Sequence, residues 1–184
     1  MSAVLDQLKG GTLISDGQAD QVAEVVLANP RLFHALMEGL RDQDEVVRAR
    51  AAHALEKVSR IHPDWFIPHF PFLTGLAQDD PVPMVRWHLV MLLTNFATLS
   101  GKIDRVVDVL LNRLQDESAF VQSWAISGLC ILGRRYPERA AEIIQSLRPL
   151  RNVQGTAVRS RASKALELLE NPFLQIPKGW IKAK

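Results

Sequence analysis

Few side chains in this 184-residue chain are placed to do covalent chemistry. The five histidines (34, 53, 62, 69 and 88) form no H-E-x-x-H motif and no pair four residues apart, so no metal-ligand set is expected. Cys130 sits in the apolar stretch SGLCIL, without the neighbouring cation that would favour a thiolate, and reads as a small core residue. Asp42 and Asp44 are close enough to act as a pair, yet turn and helix-cap duty accounts for both. Phosphate-cradling G-x-x-x-x-G-K-[ST], dinucleotide G-x-G-x-x-G and nucleophile-elbow G-x-S-x-G motifs are absent. No catalytic residue, metal, cofactor or small-molecule substrate is assigned.

A second group suits binding instead. Arg50, His88, Trp124 and Arg161 recur at nearly even spacing, accompanied by His53, Met91, Ser127 and Lys164, with Trp87 at their edge. Tryptophan and arginine are enriched at interface hot spots, and aromatics beside cations also suit nucleobase or phosphate contact. Either tryptophan alone could equally pack between neighbouring elements. These residues act together only if the chain brings them to one face, which depends on a repeat.

The repeat is present. Val47-Arg48, Val85-Arg86, Val121-Gln122 and Val158-Arg159 follow one another at intervals of 38, 36 and 37 residues. A polar turn precedes each pair (RDQDE, AQDDPVP, LQDES, RNVQG), and a helical apolar pattern follows. Counted from the Arg/Gln position, offsets +3, +7 and +10 are apolar throughout: Ala51, Leu55, Val58; Leu89, Leu93, Phe96; Ala125, Leu129, Leu132; Ala162, Leu166, Leu169. Offset +2 supplies Arg50, His88, Trp124 and Arg161, and offset +5 supplies His53, Met91, Ser127 and Lys164, two columns that neighbour one another on a helix surface. Pro30, Pro63 and Pro137 fall where first turns should begin.

A two-helix unit at this period predicts an all-α solenoid. First (A) helices are expected near 31–41, 64–77, 102–114 and 138–148, and second (B) helices near 45–60, 84–99, 118–134 and 157–170. Pro68 and Pro71 should kink or break the second A helix. The expected organisation is an N-terminal segment and capping helix (1–29), repeats at 30–61, 62–100, 101–135 and 136–170, and a basic-aromatic tail (171–184). Phe173, Leu174, Ile176 and Trp180 would let that tail fold back over the last unit, or else it is a free arm.

Asp80-Pro81-Val82-Pro83-Met84-Val85-Arg86 resembles the D-P-x-P-x-V-R signature of HEAT repeats, and Asp44 to Ala52 is similar without the prolines. The third unit departs at Gln122 and the fourth at Gln154-Gly155. The resemblance implies a right-handed superhelix of about four helix pairs, with B helices along the concave face. It also implies a structural ladder in which turn aspartates (Asp44, Asp80, Asp116) cap B helices and meet Arg48, Arg86 and Arg159.

Charge is uneven. Residues 1–144 carry 14 Lys+Arg against 18 Asp+Glu, and residues 145–184 carry 8 against 2. The single cysteine, the absence of a signal-like N-terminus and the short apolar runs predict a cytoplasmic chain with no membrane span. Three functions compete. The first is a non-catalytic scaffold that binds a protein partner through the concave strip or the basic end. The second is nucleic-acid binding through the basic C-terminal region. The third is an enzyme resembling the HEAT-like DNA glycosylases, for which Trp87, Trp124 and Arg161 offer the residue types without the motif.

Overall fold

Polar turns alternating with apolar runs spaced three and four apart produce helix after helix. The computed structural model describes residues 3–97 and 102–181. Their α-helices are α1 (Ala3–Asp6), α2 (Ala19–Ala28), α3 (Phe33–Glu38), α4 (Glu45–Ser59), α5 (Phe70–Asp79), α6 (Pro83–Phe96), α7 (Ile103–Asn112), α8 (Ala119–Arg135), α9 (Pro137–Leu147) and α10 (Thr156–Glu170). Residues 98–99 at the end of the second expected B helix, the 100/101 boundary, Lys182 and Lys184 lie outside the described residues.

Successive B helices pack in one row, α4 on α6, α6 on α8 and α8 on α10. The A layer is less regular. Its helices α3, α7 and α9 run into 3-10 turns at 39–41, 113–115 and 148–152. Pro63 opens a 3-10 segment, Pro63–His69, that contains Pro68, while Pro71 sits in the first turn of α5, so the broken second A helix has its cause in the sequence. The expected cap is α2, which packs on α4 as one more member of the B row, and α1 lies against α3. The molecule is an α-solenoid.

The offset +3, +7 and +10 residues are buried in every unit apart from Leu169, which is half-buried. In α6 every residue from His88 to Phe96 is buried, so this helix is covered on all sides. That cover includes parts of the chain outside the repeat.

A ladder ties the turns together. Arg48, Arg86 and Arg159 each donate to a carbonyl in their own turn (Asp42, Asp80 and Val153, at 2.9, 2.7 and 3.0 Å), and Gln122 does the same to Asp116 at 2.6 Å. Arg48 also pairs with Asp80 of the next unit at 3.3 Å. Arg86 clasps Asp116 of the next unit with two bonds of 2.8 and 2.9 Å. Burial alone would raise the Asp116 carboxyl, but Arg86, the Ser118 N–H and Arg113 outweigh it and hold it below the usual range. The ladder stops where Gln122 replaces arginine, and Arg159 bonds within its own turn.

One expectation needs correcting. The repeated turn aspartates are Asp42, Asp80 and Asp116, whose carboxylates accept the N–H two residues on (Asp44, Val82, Ser118) and so fold the turn. Asp44 caps α4 by accepting from Val46 at 2.8 Å, but Asp80 and Asp116 cap no helix, and Asp42 rather than Asp44 holds the ladder position.

Candidate partner-binding groove

The B row does bring the two columns together, as pairs across each helix–helix seam. His53 of α4 stacks on His88 of α6 with centroids 4.6 Å apart. Met91 of α6 and Trp124 of α8 line one small space. Ser127 of α8 accepts from Arg161 of α10 at 2.7 Å. Offset +5 of one unit thus meets offset +2 of the next. Gly128 keeps α6 and α8 close, since a Cβ there would stand 2.4 Å from the Thr94 hydroxyl.

Most of this strip is closed, contrary to the expected open surface. Arg50, His88, Met91 and Ser127 are buried, and His53 is half-buried. The N-terminal segment lies across Arg50, whose guanidinium donates to the carbonyls of Leu8 (2.8 Å), Gly10 (2.6 Å) and Ser15 (3.1 Å). Gly10 and Gly17 bend this loop at φ of 76° and 55°. At Gly17 a Cβ would come within 2.6 Å of the Arg50 Cζ, so the loop takes no side chain there. His53 faces Asp16 and Asp20 at 3.4 and 3.5 Å, and its Nδ1 finds no hydrogen-bond geometry. Burial lowers its pKa more than those two carboxylates raise it.

Burial, with the nearby His53, pushes the His88 pKa down to about 3. Its Nδ1 lies 2.7 Å from the Met84 carbonyl, which can only accept, so the neutral ring carries its proton there. The Cys130 thiol is pushed up to about 12 by burial, which removes it as a nucleophile near neutral pH. Among the described residues no group of three or more His, Cys, Asp or Glu is placed to hold a metal, and no helix is long and apolar enough to cross a membrane.

What remains open lies at the N-terminal ends of α6 and α8. Ile14 and Asp16 of the N-terminal loop, Pro83, Met84 and Trp87 of α6, Ser118 and Phe120 of α8 line a groove of about 480 Å³. Phe120 stacks on Trp87 with centroids 5.3 Å apart and is 65% exposed, and Ile14 is 94% exposed. Phe120 lies one helical turn before Trp124 on α8. Of the expected strip residues only Trp87 lines this groove, and Trp124, Arg161 and Lys164 lie half-buried further along the row.

Phe120 and Ile14 were missed from sequence. For Phe120 a signal existed: offset −2 reads Val46, Met84, Phe120 and Ala157, an apolar column that leaves the last two residues exposed. Ile14 belongs to no repeat and left no such trace.

At the C-terminal end the tail folds back. Arg134 donates to the carbonyls of Leu168, Pro172 and Leu174 (3.0, 2.6 and 3.0 Å). Trp180 lies over the Arg161 guanidinium at 5.0 Å, with Trp124 on it at 5.5 Å. Leu174 and Trp180 pack on the core, while Phe173 is 94% exposed, so the expected cover is partial.

No protein-family model matches the chain, and no curated protein matches it. Among solved structures, an engineered protein solved by a structural-genomics consortium is similar over 91% of this chain and 78% of its own (TM-score 0.61, 17% identity). A designed armadillo repeat protein is similar over 90% of this chain and 98% of its own (TM-score 0.51, 18% identity). At such identities the likeness concerns fold alone, and it places this chain among the α-helical repeat solenoids.

Proposed function

We propose that this chain is a cytoplasmic, non-catalytic, HEAT-type scaffold whose protein partner seats a large apolar side chain in the groove of Ile14, Met84, Trp87 and Phe120. The HEAT reading draws support from the two-helix unit, the Asp80–Arg86 signature and the arginine–aspartate ladder between turns. Within it, residues 1–29 are the cap, 30–61, 62–100, 101–135 and 136–170 the repeats, and 171–184 the tail. The binding reading rests on one observation. Two large apolar side chains, Ile14 and Phe120, stay mostly in water around a groove floored by an indole. Clustered exposed apolar side chains of this kind mark interaction sites more often than scattered ones do. The Asp16 carboxylate, 65% exposed, lines it, so a basic residue beside the apolar anchor fits.

Selection of peptides from a random library on the full chain tests this. Enriched peptides should carry an aromatic or leucine anchor, and Phe120→Asp should weaken them at least tenfold, roughly 1.4 kcal/mol, with the melting temperature held. Enriched peptides that bind Phe120→Asp equally well would sink the groove reading. If only duplex DNA binds, and is lost between about 50 and 200 mM salt, the nucleic-acid reading replaces it.

A further inference from the structure

A second surface lies under the tail. We propose that residues 172–181 are a displaceable strap over a binding site on α6, α8 and α10, whose partner is an acidic segment carrying an aromatic side chain. The inference rests on the chain being a binding scaffold but not on the Phe120 groove.

The argument starts from Arg161. This guanidinium is half-buried between Trp124 and Trp180 and donates to Ser127. Among the described residues no carboxylate forms an ion pair with it, although a guanidinium has five N–H groups to place. Two indole faces offset part of the cost of burying such a charge, and a carboxylate would offset more. Neighbouring charge has the same sign. Lys164 lies three residues on along α10 and pairs with Glu167 at 2.9 Å, and exposed Lys178 stands two residues before Trp180. The strap gives Arg161 an aromatic face, and residues 172–181 contain no carboxylate side chain to pair with it.

The strap is lightly held. Beyond local turn bonds from Phe173 and Leu174 to Asn171, its polar ties are Arg134 bonds to two tail carbonyls, Pro172 and Leu174, which water could satisfy as well. Phe173 packs on nothing, and Ile181 is 49% exposed. The surface beneath is formed by elements outside the tail: Met91, Thr94 and Asn95 of α6, Trp124, Gly128 and Ile131 of α8. Trp180 leaves only about 10 Å³ open there, so any other ligand must first displace it. A segment bringing both an aromatic ring and carboxylates would replace the indole contact and supply the missing counter-ion.

The test uses the full chain and fluorescence anisotropy of a labelled, end-blocked Glu-Glu-Trp-Glu-Glu peptide. Trp180→Ala should bind it about fivefold tighter than the unaltered chain, because the competent state is no longer masked. Arg134→Gln, which loosens the strap away from the groove, should also tighten binding and serves if Trp180→Ala fails to fold. Adding Arg161→Gln to either should cancel the gain. The proposal is overturned if neither strap variant gains affinity, or if the gain survives Arg161→Gln. It is equally overturned if the variants gain affinity for oligothymidylate but not for the peptide, which would assign the surface to nucleic acid.

Discussion

Arg50 and Arg161 occupy the same position in the first and fourth units, yet the two ends of the B row treat them oppositely. Arg50 is 5% exposed and enclosed by backbone carbonyls of a glycine-bent loop. Arg161 is half-buried, with one hydroxyl and two indole faces for company. The repeat supplies the same side chain at both ends, and the segment outside the repeat decides what it does. At the N-terminal end that segment turns arginine into a structural clamp. At the C-terminal end the contact stays incomplete, and an incomplete contact can be exchanged.

The contrast makes measurable claims. Arg50→Ala should cost about 3 kcal/mol, since it empties a buried site and strands several carbonyls, and should speed amide exchange across residues 8–16. Loss below about 1 kcal/mol in urea melts would show that the N-terminal clamp is no firmer than the strap.

The N-terminal end should also be acid-sensitive. The His88 pKa is lower folded (about 3) than unfolded, so between about 6.5 and 3 the unfolded chain binds the extra proton. That contribution is intact above about 6.5 and is lost as pH falls, by at most about 1.4 kcal/mol per pH unit. His53 shifts in the same direction. Comparing denaturant midpoints at several pH values, His88→Phe should flatten the slope above the range where carboxylates titrate. An unchanged slope would place the acid sensitivity elsewhere.

Arg161→Gln carries the smallest expected effect, under about 1 kcal/mol, because an exposed-side arginine stacked on indoles contributes little to stability. A loss matching that of Arg50→Ala would erase the distinction between the ends.

The period, the helix pairs and the broken second A helix were legible in the sequence, because each follows from a local pattern: a Val-Arg pair after a polar turn, apolar offsets, and prolines at 63, 68 and 71. The sequence placed the +2 and +5 columns side by side on one helix; that +5 of one unit meets +2 of the next across the seam emerged from the stacking of helices. The register of the turn aspartates was misread, because Asp44 matched the signature by type while Asp42 matches it by distance from arginine. Phe120 escaped notice at a turn-to-helix junction, although its offset −2 column is apolar in all four units.

From residue order alone came the solenoid and the inward columns of its B helices, since helical periodicity acts over a few residues. Only the folded chain decided which of those positions meets solvent. Residues 8–16 and 172–181 carry no period, and where they cross the B row depends on an arginine held by a glycine-bent loop and on a tryptophan, through contacts 19 to 42 residues away along the chain. Exposure is a property of the whole surface, and these two segments set it.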